Sequence, residues 1–486
     1  MSEAAEAVAG VQSVVPLWAQ LRVGDRARYL ERAAQAVIDE FDELCTVIAA
    51  ETGRPVVEVA AFELLAAIDT LQWLARHARA LLSAKAVALP RAIHPLKRAT
   101  AGHSPIGVVA VIGAGSSPFA GLLAPTGAAL LAGNGVVVKP AARAAQAGER
   151  IAGVLARAGF PEGVVRVLQG DGAVGHELAA CDGVAHVSFS GNRHTGAEVG
   201  AAAAARGATS SLDLAASEAM IVLADASVEA AVAGATWAAC AAAGQLHGTL
   251  QRIYIEPALR DRFAERLAES AAALRIGDPL DPASELGPLV SDARRELFEG
   301  TLADCVQAGA TVLERSETPD GALPFCAPAI LTGEAEQLAP LREFVAGPLA
   351  GVIGVESPVA AVALENAAAP TARGASIWSA DRRHAARIAR ELRAPAVWCN
   401  DHLVGPVLPR DAATALAAFA SPKLITWDPS GARLPWRFPY DATSAGAIRA
   451  LVALHSRRPG DRERALRAGV PAIAKAAGRA IRSARG

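Results

Sequence analysis

The chain is predicted to be an α/β protein built on a doubly wound, largely parallel sheet, and three observations predict it. Short β-branched runs at 108–112, 135–138, 164–168 and 185–189 alternate with helical patterns, the rhythm of βαβ units. A second run of the same kind follows from about residue 216. The 486 residues, 52% hydrophobic and 20% charged, are enough to bury two or three cores and are not the composition of a disordered chain.

Taken in order, residues 14–85 read as helices. Trp18, Leu21, Tyr29, Leu30, Ala33, Val37, Ile38 and Phe41 recur at spacings of three and four, as do Leu64, Leu65, Ile68, Leu71 and Leu74. A basic, proline-punctuated linker spans 90–105. The four strands named above follow, within a nucleotide-binding type of unit at 106–215. The next unit, 216–400, holds a strand at 220–223, a helix at 229–243, a strand at 252–256 and a helix at 259–274. The run Asp278-Pro279-Leu280-Asp281-Pro282 is a turn. Strands at 377–379 and 396–400 flank a helix at 382–392. A return segment covers 401–432. From 433 to 486 twelve Lys or Arg face three acidic residues, with helices expected near 445–455 and 472–482. Such a tail is a solvated surface helix or a docking segment for an acidic partner or membrane surface.

Composition narrows the function classes. A net charge of −2 argues against general nucleic-acid binding. Residues 1–12 lack a secretory pattern, and the apolar stretches at 107–113 and 121–133 are broken by Gly and Pro short of the ~18 residues a membrane span needs. A cytoplasmic protein is expected. Six scattered cysteines with no CxxC pair suit reduced thiols, not a disulfide framework or a zinc site, and no metal-ligand constellation is visible.

Eight segments, in one order, then carry a resemblance. They include Glu51-Thr52-Gly53-Arg54-Pro55, Ser104-Pro105-Ile106-Gly107-Val108-Val109, the run from Ala132 through Asn134 to Lys139-Pro140, and Ala158-Gly159-Phe160-Pro161-Glu162-Gly163-Val164-Val165. Phe189-Ser190-Gly191-Asn192-Arg193-His194-Thr195-Gly196, Gly277-Asp278-Pro279-Leu280-Asp281, Gly287-Pro288-Leu289 and Val397-Trp398-Cys399-Asn400-Asp401 complete the set. Together they resemble the aldehyde dehydrogenase superfamily over roughly 15–428. The resemblance implies that family's fold: a Rossmann-type nucleotide-binding domain, an α/β catalytic-type domain, and oligomerisation strands at 90–105 and 424–427 that make a homodimer or homotetramer. It implies NAD or NADP as cofactor, with Lys139 on the adenosine ribose and Gly191, Asn192 and Gly196 at the pyrophosphate turn. Ala142 and Arg143 stand where a ribose-binding carboxylate is common, so NADP is not repelled.

The resemblance also locates a reactive site, and there the chain departs from its family. The thiol position is His247, in Ala243-Gly244-Gln245-Leu246-His247. Ser116 replaces the asparagine that holds the oxyanion, Asp213 the general-base glutamate, Ala215-Ala216 two glycines, and Phe344 a second cofactor-holding glutamate. The glycine-rich loop expected near 406–410 is missing. Losing a covalent nucleophile costs on the order of 10⁶ in kcat, about 8 kcal/mol, and an oxyanion donor roughly 10²–10³ more. An imidazole adduct would carry positive charge beside the carbon that must release hydride. The expectation is a diverged, impaired or inactive member that binds a dinucleotide or small aldehyde-like ligand, or serves as a partner subunit. One alternative is an active oxidoreductase using His247 or Cys399; another is a docking protein acting through the basic tail. His247 itself admits three roles, as a pocket lining, a general base oriented by Asp213, or a structural histidine. Cys240, seven residues earlier on the expected helix, is a core residue by type.

Overall fold

The computed structural model describes residues 2–90, 97–313, 315–321, 323–368, 374–402, 416–428, 438, 440–453, 455–464, 467, 469–471 and 474–475. Two compact units emerge, one of residues 1–81 with 104–421 and one of 82–103 with 422–486.

The first unit opens on helices α1 (Glu3–Gln20), α2 (Val23–Asp39) and α3 (Phe41–Thr52). Trp18, Leu30, Ala33 and Val37 from the periodic set are buried, whereas Ile38 and Leu65 lie on the solvent side. Gly53, left-handed at φ 73°, ends α3 as a C′ glycine does. A short α4 (Val56–Val59) runs into a π-helical segment, Ala60–Leu65, and then α5 (Ala66–Leu82). The π segment lies inside a region read from sequence as plain helix.

The first large sheet contains five strands, β3 (Val108–Ile112), β4 (Gly135–Lys139), β5 (Val165–Val167), β6 (Val184–Gly191) and β7 (Thr209–Leu214). Their spatial order is β5-β4-β3-β6-β7 and every pairing is parallel. Helices α6 (Ala120–Ala132), α7 (Ala145–Arg157), α8 (Gly172–Ala180) and α9 (Arg193–Ala205) make the crossovers. The chain winds outward from β3 to β5 and then restarts on the other side with β6, so the winding reverses between β3 and β6. Crevices at the carboxyl ends of strands flanking such a switch point are where this fold type takes ligands. Asn134 fastens the region. Wholly buried, its Oδ1 accepts from the Ile106 and Gly107 N–H groups and its Nδ2 donates to the Ala129 and Phe419 carbonyls.

The second large sheet runs β10-β11-β12-β9-β8-β13-β14. Its strands are β8 (Glu218–Val222), β9 (Leu250–Ile255), β10 (Thr311–Val312), β11 (Ala329–Gly333), β12 (Leu349–Gly354), β13 (Gly374–Trp378) and β14 (Ala396–Cys399), parallel except for β10 against β11. Helices α10 (Val228–Cys240), α11 (Pro257–Ala272), α12 (Asp292–Gln307), α13 (Pro358–Ala368) and α14 (Arg382–Ala389) accompany it. The helix expected at 229–243 stops at Cys240. Ala242 and Ala243 adopt left-handed backbone, φ 51° and 52°, so the alanine run that favours helix is overridden just ahead of His247. Cys240 therefore closes its helix, and no helical turn carries it toward His247.

The second unit contains a three-stranded sheet, β1-β2-β15, of β1 (Lys85–Val87), β2 (Arg98–Pro105) and β15 (Ala420–Trp427). β1 begins at Lys85, the last residue of the span expected to be helical. β1 and β2 pair antiparallel, Lys85 opposite Ala101. Leu424, Ile425 and Trp427 are exposed, and the Arg98 guanidinium lies 6.0 Å from the Trp427 ring centroid. A helix follows at Ala442–Ala453. The segments at 406–410 and most of 472–482 lie outside the described residues. Among the described residues no helix is long and apolar enough to cross a membrane.

Candidate active site

Three carboxyl-terminal strand ends bring the first group of residues together. β4 ends in Lys139, nearly buried, its amine pKa lowered by burial and raised in part by Asp171. β6 ends in Ser190-Gly191, and β3 leads into the segment of Ser116. Lys139 also fixes that segment, since its carbonyl accepts from the Gly113 N–H at 3.1 Å. A buried cation at the switch point suits a polyhydroxylated or anionic ligand.

The glycines of the turn have a simpler cause than ligand approach. A Cβ at Gly191 would meet the Phe189 ring, and one at Gly196 would overlap Leu214. The first contact lies within β6 itself, and the second is packing of α9 on β7. Asn192 caps α9, its Oδ1 accepting from Thr195 N–H at 2.9 Å. Its side chain is thus committed to the helix terminus. Arg143 is committed as well, donating to the Val290 carbonyl at 2.8 Å.

The second group meets at the end of β7. His247 Nδ1 lies 3.8 Å from Asp213 Oδ1, beyond hydrogen-bond range but inside ion-pair range. The imidazole is 12% exposed and the carboxylate 43%, so the pair straddles the surface of the site. Asp213 also lies 3.5 Å from the Ser190 hydroxyl, opposite it across the β6–β7 ladder. The Phe344 ring stands edge-on to His247 with centroids 6.3 Å apart. Phe344 therefore borders His247 with an apolar wall where a carboxylate was expected to hold a cofactor. Ser116 belongs to the same unit, and its carbonyl accepts from the Arg54 guanidinium at 3.2 Å.

Of the two alternative thiols, Cys240 is not set up as a nucleophile. Burial pushes Cys240 up to about 12, so it stays protonated. Cys399 is exposed at the end of β14, and the adjoining Asn400, left-handed at φ 57°, clamps its side chain to both backbone groups of Ser379. Among the described residues no group of three or more His, Cys, Asp or Glu could hold a metal ion.

Beside the Gly248 backbone sits a residue that sequence reading did not single out. His402 is buried, its Nδ1 2.8 Å from the Ser376 hydroxyl. Glu218 Oε2 is 3.5 Å from its other nitrogen, near enough for an ion pair. Burial nevertheless pushes His402 down to about 3, so the ring is neutral and the contact uncharged. Glu58 and Glu63 were also passed over. Their carboxylates sit on an irregular helix that periodicity cannot distinguish from a regular one.

Several sequence segments now have physical reasons. Glu51 accepts from the Gln146 and Ala147 N–H groups and so caps α7. Gly287 lies so close to the Gly53 carbonyl that a Cβ would overlap it. Gly244 packs against Gly347 in the same way, and Gly347 N–H donates to the Gly244 carbonyl at 3.2 Å.

Comparison with known proteins agrees with this architecture. Residues 1–409 match the family model described as "Aldehyde dehydrogenase family". Betaine aldehyde dehydrogenase 2 of Rhizobium meliloti (strain 1021) is 32% identical over 405 residues, 82% of this chain and 82% of the relative. Betaine aldehyde dehydrogenase of Sinorhizobium fredii (strain NBRC 101917 / NGR234) is 30% identical over 405 residues, 83% of this chain and 82% of its own. Among solved structures, an NAD-dependent aldehyde dehydrogenase from Sinorhizobium meliloti superposes with TM-score 0.83 at 26% identity, covering 90% of this chain and 88% of that one. PnpE from Pseudomonas sp. WBC-3, solved in complex with nicotinamide adenine dinucleotide, superposes with TM-score 0.80 at 26% identity, covering 87% and 89%.

Proposed function

The chain belongs to the aldehyde dehydrogenase family, and from that premise we propose that it binds NAD or NADP but does not oxidise aldehydes by the thiolate route. One observation carries this reading: position 247 presents an imidazole facing Asp213 at 3.8 Å, while the switch-point cradle around Lys139 remains built. Lys139 and the N-terminus of α9 are the groups that would hold the dinucleotide, through a buried amine and backbone N–H donors. Bound there, the nicotinamide would supply a hydride acceptor. PnpE, solved in complex with nicotinamide adenine dinucleotide, supports dinucleotide binding by likeness.

No cysteine stands at position 247 to supply a thiolate. Cys240 stays protonated and Cys399 is exposed on a strand end. A second reading, His247 acting as general base, has the His247–Asp213 approach in its favour. With Nδ1 turned to the carboxylate, Nε2 is left to take a proton from water or a ligand hydroxyl. A betaine-aldehyde-like ligand is one candidate, on the strength of the named relatives.

Six free cysteines suit a cytoplasmic setting. The exposed Leu424, Ile425 and Trp427 on β15 favour self-association, as a homodimer or homotetramer. Isothermal titration of the full chain with NAD and with NADP tests the central part. Binding of either, weakened at least tenfold by Lys139→Ala, is the expected result. No heat from either at millimolar concentration removes the dinucleotide from the reading.

A further inference from the structure

A left-handed turn immediately before His247 has no conformational reason of its own. Ala242 and Ala243, both buried and both with a Cβ, hold φ 51° and 52°, and Gly244 continues at 67°. Left-handed backbone is disfavoured for alanine, so something outside the turn must hold it.

That something is Glu58. Both of its carboxylate oxygens accept from the Ala242 N–H, at 2.8 and 3.0 Å. Glu58 is anchored in turn. Its Oε2 lies 3.7 Å from Arg54 Nε, and the Arg54 guanidinium, buried to 2% exposure, donates to Glu63 Oε1 at 2.7 Å. The other oxygen of Glu63 accepts from the Phe119 and Ala120 N–H groups at the start of α6, at 3.0 and 2.7 Å. Arg54 also donates to the Ser116 carbonyl. One buried Arg and two carboxylates therefore tie the segment of Ser116 to the segment of His247.

The π-helical stretch explains how this is possible. Residues five apart on an α-helix lie roughly 140° apart around the axis, so Glu58 and Glu63 would not both face Arg54. The i→i+5 bonding of Ala60–Leu65 falls between them and turns the second carboxylate back toward the first.

We infer that Glu58 is a positioning residue for position 247: it holds the strained Ala242–Gly244 turn, and through Arg54 and Glu63 it locks that turn to the Ser116 segment. This rests on the reading that 247 is the reactive position, but its test needs no dinucleotide, so the two fail separately. The test is acylation of histidines by diethyl pyrocarbonate in the full-length protein, read by peptide mass spectrometry. Glu58→Gln keeps the shape and replaces one of the two accepting oxygens by an amide donor. It should raise the rate at His247 roughly tenfold, leave exposed His194 and half-buried His384 unchanged, and leave buried His186 and His402 unreactive. Adding Ala242→Gly, which relieves the left-handed strain, should bring the His247 rate back to within about twofold of the parent. The inference is overturned by a His247 rate that Glu58→Gln does not change. It is equally overturned if His186 and His402 become reactive in step, or if Ala242→Gly brings no recovery; either outcome would reduce Glu58 to general scaffolding.

Discussion

At the scale of single residues, the turn before His247 shows how tightly position 247 is framed. A Cβ on Gly244 would overlap the Gly347 carbonyl, and Gly244 already has left-handed backbone. Gly244→Ala should therefore destabilise the protein by at least about 2 kcal/mol, measurable as a lowered urea midpoint with unchanged m-value. An unshifted midpoint would mean that the backbone yields there at little cost. His247, Ser116, Asp213 and Phe344 could be singled out from the sequence because each stands inside a segment that resembles a family motif. Asn192 was legible only as to place. Its position at the turn was plain, whereas its commitment as the cap of α9 follows from a hydrogen bond that no motif encodes.

At the scale of elements, strands read well and irregular helices poorly. A buried parallel strand writes itself as a β-branched run, and β3 falls on the expected residues. The end of α10 did not read, because Ala241–Ala243 are strong helix formers and the residue that overrides them, Glu58, is far away in sequence. The π segment is invisible for a related reason: apolar spacing reports a face, not a change in hydrogen-bond step. The network it builds should be costly to break. Arg54→Met leaves Glu58 and Glu63 buried without their cation and should cost about 3–5 kcal/mol. A loss below about 1 kcal/mol in chemical denaturation would show that the carboxylates simply take up protons and repack.

At the scale of the whole molecule, two buried histidines make folding sensitive to acid. Burial pushes His186 down to about 4 and His402 down to about 3, so both are neutral in the folded protein. Unfolded imidazole titrates near 6.5, so the unfolded chain binds protons that the native state refuses. Stability is therefore fully present above about pH 6.5 and falls as pH drops toward the folded values, by up to about 1.4 kcal/mol per pH unit for each histidine. Denaturation midpoints between pH 7 and 4 should show this fall, and His186→Asn or His402→Asn should each flatten it. An unchanged slope in both variants would assign acid sensitivity to other groups.

The same whole-molecule view sets the central question, since a family fold encloses a site whose nucleophile position is an imidazole. The most direct measurement is aldehyde-dependent NAD(P)H formation by the unaltered chain, followed by absorbance across aldehydes that include betaine aldehyde. The account predicts no formation above the uncatalysed rate with either dinucleotide. Turnover at an ordinary enzymatic rate of about 1 s⁻¹ or more, abolished by His247→Ala or by alkylation of Cys399, would contradict it.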